Sequence, residues 1–473
     1  MFYIRFFLGL LLCGLFKMVA AQERHPLYDS VSKLVQKAFN AEDPMKIYVL
    51  TSTGYQERMN AAKFSEGTKK FYLKTGKWND LTFKEETDGG IAYTALFERE
   101  TQVLFLQLDE QGKIDRFNFK PVPFVKGTKS HPVASNNPLT SEIDSLVEKL
   151  VRPYIQQGHT AALCLAIIRN NTVHYYSYGE VVKGSNKLPD PQSTIFEIGS
   201  VTKTFTSLLL ASEVIRKKMT LNDPINKYLP ASFPNLRYNN TAITLEHLAN
   251  HTSGLPRLPA NIFIGQINPQ DPYRHYNEDS VYSFLSTYKP AIIPGSQFSY
   301  SNFGAGLLAI ILSRKFHQTF EQLLTIKIFG PLKMHDTKIE LSAKDSIQFA
   351  QGYNEKGEPT APWNLAALQG SGAIRSTLSD MVRYTKAQLG QINTPLDKAI
   401  FLTHQVTFQS KENTMGLGWR IKKQKNDVYW HHSGGTGGFR SFVGFDKKRL
   451  LGVVILSNTA EDVTKIGQSI LEN

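Results

Sequence analysis

Three serine–lysine pairs in this 473-residue chain share the spacing Ser-x-x-Lys: Ser30/Lys33, Ser200/Lys203 and Ser286/Lys289. Roughly two are expected by chance in a chain of this length, so spacing alone selects none of them. The chemistry at stake is acyl transfer. A serine hydroxyl is a poor nucleophile until a neighbour takes its proton, and a partly desolvated lysine one helical turn away can do so. In "FEIGSVTKTFTSLLLASEVI" the pair Ser200/Lys203 follows an apolar approach ending at Gly199 and opens a strongly helical run. Ser200 then sits where free backbone N–H groups favour developing negative charge, with Lys203 on the same helix face. For this stretch in isolation, the alternative is an N-cap serine followed by a solvated lysine. The other two pairs have simpler explanations. "LYDSVSKLVQKAF" puts Leu27, Val31, Leu34, Val35 and Phe39 on one face, so Ser30 and Lys33 belong to an ordinary amphipathic helix. Ser286 and Lys289 lie in "FLSTYKPAIIPG", where Pro290 stops a helix.

Two later stretches bear on the choice. "PGSQFSYSNFG" sets Tyr300 two residues before Asn302, just after a Pro-Gly turn, and "WHHSGGTGGF" sets His432-Ser433-Gly434 near the start of a glycine-rich stretch. A lone Tyr-x-Asn is weak, since Tyr238-Asn239-Asn240 also matches it. The ordered set Ser-x-x-Lys, Tyr-x-Asn and His-x-Gly is specific. With it the sequence resembles the serine β-lactamase and penicillin-binding-protein superfamily, in its class C-like branch. That branch holds class C β-lactamases, D-alanyl-D-alanine carboxypeptidases and related esterases. The resemblance runs over roughly residues 140–470, and the phrases "LNDPINKYLP", "LANHTSGLPR", "LQGSGAIRSTLSDMVRY" and "MGLGW" agree with it.

The resemblance implies roles residue by residue. Ser200 attacks a carbonyl and becomes an acyl-enzyme, while Lys203 and Tyr300 share the base role, the lysine charge lowering the tyrosine pKa. Asn302 hydrogen-bonds the substrate's amide side chain and Lys203. The backbone N–H groups of Ser200 and Gly435 form an oxyanion hole. The strand carrying His432, Ser433, Gly434 and Gly435 pairs with an extended substrate. The implied partner is a small-molecule or peptide substrate: D-amino-acid peptides such as peptidoglycan fragments, related esters, and β-lactams through the same machinery. Neither a metal nor an organic cofactor is implied. The alternative is a catalytically silent sensor or binding protein on the same fold, against which the intact Ser200, Lys203, Tyr300 and Asn302 argue.

One position departs from the family. Class C β-lactamases begin the third motif with a lysine that clamps the substrate carboxylate, and here that slot holds His432. With an ordinary pKa of ~6.5, histidine turns a permanent cation into a conditional one, which fits the esterase and peptidase relatives better. Arg440 is a candidate substitute charge, against the plainer reading of a solvated strand residue. Other clusters carry less. Glu246, His247 and His251 lack the order His-Glu-x-x-His, and the "TSGLP" after them reads as the family's loop rather than a metal site. No Gly-x-Ser-x-Gly occurs, which excludes an α/β-hydrolase elbow. His431 alternates to the opposite strand face from His432 and reads as packing.

The elements that must position these residues form an α+β chain of two domains. Residues 1–21 have a basic start at Arg5, an apolar run from Phe6 to Phe16 and small residues before Ala21, the pattern of a signal peptide cleaved after Ala21. This predicts a secreted or periplasmic protein. No later apolar stretch approaches ~20 residues, so no membrane insertion is expected. Cleavage removes Cys13 and leaves Cys164 alone as a buried structural thiol. Net charge falls from +13 to +11 with the loss of Arg5 and Lys17. The remaining lysines are scattered, with no basic block interleaved with aromatics, so nucleic acid is not an expected partner.

Residues 23–120 read as a helix followed by a four-stranded antiparallel meander, with a loose resemblance to cystatin-like or nuclear-transport-factor-like domains. Residues 121–138, with Pro121, Pro123, Pro132 and Pro138, read as a linker. Residues 139–473 read as a β-lactamase-like domain: strands at both ends form one antiparallel sheet, and a helical region is inserted between them.

Overall fold

The computed structural model describes residues 26–473, apart from residues 88, 99–100, 122–126, 231–232, 234–235, 265–266 and 425–426. The expected signal segment and its cleavage point lie outside the described residues. The chain divides into two compact units between Val125 and Lys126.

In the first unit a helix over residues 26–40 (α1) buries Val31, Val35, Ala38 and Phe39. Leu27 and Leu34, expected on the same face, are instead about half exposed, at 50% and 52%. A second long helix, Ala61–Thr75 (α2), is capped by Asn60. Strands Trp78–Thr87 (β1), Gly90–Phe97 (β2), Thr101–Leu108 (β3) and Ile114–Pro121 (β4) form a meander in the order β1-β2-β3-β4. Its core is aromatic: Phe39 meets Trp78 and Phe97 edge-on, and Phe71 stacks on Phe119.

The second unit is built on an eight-stranded antiparallel sheet. Helix Glu142–Ile155 (α3) starts at a reciprocal cap between Ser141 and Asp144. Strands Ala162–Arg169 (β5) and Thr172–Gly179 (β6) follow. Helices Thr202–Ile215 (α4), Asn302–Phe316 (α5) and Leu378–Leu389 (α6) belong to the inserted region. The sheet then resumes with Arg420–Gln424 (β7), Asp427–Gly435 (β8), Arg440–Asp446 (β9) and Leu451–Ser457 (β10), and helix Thr464–Glu472 (α7) closes the fold. β10 pairs with β5, Leu456 opposite Cys164, so the two ends of the domain do share one sheet.

β5 reads as an unbroken apolar run because both its faces are covered. Leu163, Leu165 and Ile167 pack with Val147 and Val151 of α3 and Ile466 and Ile470 of α7. Cys164, Ala166 and Ile168 face the opposite core with Phe205, Leu209 and Tyr384. Burial pushes the Cys164 thiol up to about 12, which makes it inert. Residues from Thr128 onward are tied to this unit: Thr128 bridges to Gln157, Ser135 bridges to Tyr178, and Arg152 Nη1 donates to Val133 O at 2.6 Å.

Candidate active site

Ser200 lies in a single 3₁₀ turn, Gly199–Val201, that runs into α4. No side chain caps this helix start, so the hydroxyl is not consumed as an N-cap. The turn is pinned from three sides. Ile198 N donates to Ile374 O at 3.1 Å, Ile198 O accepts from Ser441 Oγ at 2.7 Å, and Glu197 pairs with Arg375 across a short antiparallel bridge. Gly199 has φ +48, and a Cβ there would stand 2.6 Å from Gly435 N, so only glycine allows strand β8 to abut the turn.

Lys203 Nζ donates to Ser200 Oγ at 2.9 Å and to Ser371 O at 2.6 Å. The residue is 2% exposed. Burial pushes its pKa down, against an opposing pull from Tyr300. A buried amine that deprotonates more easily than ordinary lysine, held on the hydroxyl, is the arrangement a base needs. Ser30 lies instead on the exposed surface of α1. Ser286 lies on helix Glu278–Thr287, which ends before Lys289.

Tyr300 precedes α5, whose N-cap Ser301 accepts from Gly304 N at 2.8 Å and donates to Pro256 O at 2.7 Å. Its ring is gripped by cations: Lys203 Nζ lies 4.9 Å and the Arg257 guanidinium 5.1 Å from the centroid. The His251 ring is 4.4 Å away, its Nδ1 accepting from Ser301 N at 3.2 Å. Burial pushes the phenol up, but Lys203, Ser200 and Arg257 together outweigh it, and the net direction is below the ordinary value. Asn302 is fixed through its N–H to Arg257 O at 3.0 Å. Its side-chain Oδ1 is buried with no hydrogen-bond partner among the described residues, whereas Lys203 donates to Ser200 and Ser371. A buried orphan acceptor in the cleft that Ser200 lines is what a substrate amide N–H would satisfy.

Strand β8 brings the third motif to the same place. A Cβ on Gly434 would lie 2.1 Å from Ile198 O and 3.0 Å from Ser200 N, so strand and turn are in direct backbone contact. This sets the N–H of Gly435 beside that of Ser200. His432 is 3% exposed, with its ring 6.5 Å from that of Tyr300. Its Nδ1 donates to Ser433 O at 2.7 Å. Burial, then the charges of Lys203 and Arg420, push its pKa well below the ordinary value. The slot is therefore neutral throughout the physiological range, and the expected conditional cation is corrected to a neutral imidazole. Arg440 spends Nη1 on Thr436 O at 2.7 Å and Phe439 O at 2.9 Å, closing the loop after β8. His431 stacks on Phe442 on the far face of the strand.

Sequence reasoning misses the rest of the site. A cleft opens at Ser200 and Asn302, walled by Leu258, Tyr273, Trp363, Leu365 and Leu368. The cations Arg257 and Arg420 near Tyr300 are missed as well, and so is His251 as its ring neighbour. The phrases "LANHTSGLPR" and "LQGSGAIRSTLSDMVRY" mark three of these residues, His251, Arg257 and Leu368. Glu246 and His247 sit elsewhere: His247 closes the cap of the short helix Leu245–Ala249, its Nδ1 accepting from Thr244 N.

The Beta-lactamase family model matches residues 147–468. The chain is 30% identical over 352 residues to a "Beta-lactamase" of Pseudomonas fluorescens, covering 67% of this chain and 94% of that one. It is also 30% identical over 309 residues to the "D-alanyl-D-alanine-carboxypeptidase/endopeptidase AmpH" of Escherichia coli K12, covering 62% and 78%. Among solved structures, a class C β-lactamase superposes with TM-score 0.61 at 25% identity, covering 70% of this chain and 97% of that one. The D-alanine carboxypeptidase AmpC from Burkholderia cenocepacia does so with TM-score 0.61 at 25% identity, covering 70% and 98%. The fold and these matches define a class C-type serine hydrolase. The chain belongs to the Beta-lactamase family.

Proposed function

We propose that this protein is a secreted or periplasmic hydrolase that works through a Ser200 acyl-enzyme on amides or esters, with D-amino-acid cell-wall peptides and related esters as its main substrates. The observation that carries this reading is the buried Lys203 amine, 2.9 Å from Ser200 Oγ with its pKa lowered by burial. Lys203 and Tyr300 take the hydroxyl proton as Ser200 attacks the carbonyl carbon. Negative charge builds on the carbonyl oxygen between the N–H groups of Ser200 and Gly435. The proton then passes through Tyr300 to the leaving group, and water enters by the reverse route to release the acid. Asn302 holds the acyl side through its amide, and the edge of β8 holds the extended chain of a peptide.

The neutral His432 shapes the substrate preference. A free carboxylate on the leaving side, whether of a β-lactam or of a terminal D-alanine, finds no cation at this slot, so neutral esters and internal peptide bonds are favoured over both. The signal-type N-terminus supports export, and among the described residues no helix is long and apolar enough to cross a membrane. The test is covalent labelling with a fluorescent penicillin or a fluorophosphonate, followed by turnover of a D-alanyl-D-alanine peptide, nitrocefin and p-nitrophenyl acetate. Labelling of wild type but not of Ser200→Ala is expected. Absence of labelling, or equal labelling of both, sinks the reading and leaves a non-catalytic binding protein.

A further inference from the structure

The cleft wall rests on a device the catalytic steps do not use. Glu197 and Arg375 form an ion pair at 3.3 Å, with side chains only 4% and 12% exposed. Burying two charges is costly, and the cost is offset only where both groups find hydrogen-bond work. Here both act on one residue. Glu197 Oε1 accepts from Trp363 N at 2.9 Å, and Arg375 Nη2 donates to Trp363 O at 2.9 Å. The next peptide is held as well, Asn364 N donating to the buried Asp271 at 2.8 Å. Asp271 starts the segment that carries Tyr273, and Ala367 N donates to Tyr276 O at 3.0 Å, so the two aromatic segments are bound together. The rings of Tyr273 and Trp363 meet edge to face, centroids 5.1 Å apart at 79°. On its other side the indole lies against Gly437, where a Cβ would come within 2.7 Å of Nε1.

The wall so built is apolar. Leu258, Leu365 and Leu368 complete it, and among the described residues lining the cleft there is no Asp, Glu, Lys, Arg or His. The nearby cations gather instead around Tyr300, on the side where the leaving group takes its proton. We propose that Glu197 and Arg375 are positioning residues that fix Trp363 as the wall of an acyl pocket, and that this pocket selects acyl groups ending in a flat, uncharged apolar group. The inference rests on the acyl-enzyme reading above and adds the acyl class to it. An aromatic end stacks on the Tyr273–Trp363 pair, whereas a carboxylate there is desolvated without a partner.

The test keeps p-nitrophenol as the leaving group and varies the acyl part: acetate, phenylacetate, and phenylacetate bearing a para-carboxylate. In wild type, kcat/KM for phenylacetate exceeds that of its carboxylated analogue by about 100-fold or more. The ratio of phenylacetate to acetate falls about tenfold in Trp363→Ala and recovers in Trp363→Phe. Glu197→Gln and Arg375→Met lower the same ratio through KM for phenylacetate. Because the readout is a ratio within one preparation, loss of folded protein cancels. Equal losses on both esters in Glu197→Gln and Arg375→Met make the pair merely structural and overturn the positioning role. A carboxylated analogue turned over as well as its parent, or an unchanged ratio in Trp363→Ala, overturns the acyl pocket while fluorophosphonate labelling of Ser200 persists. Absence of both labelling and ester turnover overturns the hydrolase reading and this inference with it.

Discussion

Replacing Gly434 by alanine probes how strand β8 serves the nucleophile. A Cβ at this position would stand 2.1 Å from Ile198 O, 2.4 Å from Ser441 Oγ and 3.0 Å from Ser200 N. A carbon and a carbonyl oxygen come no closer than about 3.3 Å in ordinary packing, so strand and turn must part by on the order of 1 Å. The Ser441 hydroxyl can rotate, but the Ile198 carbonyl it binds at 2.7 Å is backbone and cannot simply swing aside. The strand carries Gly435 with it, and the two proposed oxyanion donors, the N–H groups of Ser200 and Gly435, separate. A misplacement of about 1 Å costs about 10²-fold, and loss of one such donor costs 10²–10³-fold, or about 2.7–4 kcal/mol in the barrier. We expect Gly434→Ala to lower kcat/KM on p-nitrophenyl acetate within that range. The acylation rate by fluorophosphonate should fall in parallel. Gly435→Ala is the internal comparison, since the three nearest atoms to a Cβ there all belong to the Arg440 side chain, at 3.0–3.2 Å, and a side chain yields more easily than backbone. It should stay within about tenfold of wild type. Gly434→Ala within threefold of wild type, or Gly435→Ala the more damaging of the two, would refute the reasoning.

Lys203→Met should cut the acylation rate by about 10³-fold or more while leaving the protein folded, read from burst kinetics and circular dichroism. The rate should rise with pH along a single limb, because the lysine and tyrosine must shed protons and both pKa values lie below their ordinary ones. His432→Asn should leave that limb in place, since His432 stays neutral across it, and a shift would contradict the buried imidazole. Stability should fall as pH drops below ~6.5. His251, His404 and His432 are buried neutral, with pKa values pushed well down by burial, so the unfolded chain binds protons first. Each steepens the loss of stability in that window, a slope the urea midpoints at pH 7 and pH 5 will show.

What the sequence reveals is the part written in short spacings. Ser200 and Lys203 are one turn apart, Tyr300 and Asn302 flank a helix start, and strands β8, β9 and β10 alternate or run apolar as pleated elements should. The pairing of β5 with β10 follows from apolar strands at both ends of one domain. The remainder is non-local. Glu197 and Arg375 fall inside quoted stretches, but no spacing pairs two residues 178 positions apart or sets Trp363, which no motif marks, between them. The His432 pKa is set by burial and by Lys203 and Arg420, which no spacing encodes. Helix α2 hides because "AAKFSEGTKKFYLKT" has few apolar positions in helical register, and Leu27 and Leu34 fit a helical face that α1 leaves half open.

The closure of the sheet by β10 against β5 also sets an order of assembly. The proposed nucleophile Ser200 is on an early segment, whereas Gly435 and the edge that abuts Gly199 arrive near the end of the chain. During synthesis β5 and β6 emerge as a hairpin whose free edge waits for its last partner, an aggregation-prone interval by nature. Closing such a distant pair is slow, because the loop entropy is lost before the contact is gained. On the acyl-enzyme reading proposed above, a truncated or still-threading chain carries Ser200 and Lys203 without the proposed second oxyanion donor, and it should stay silent until its last strands are in place.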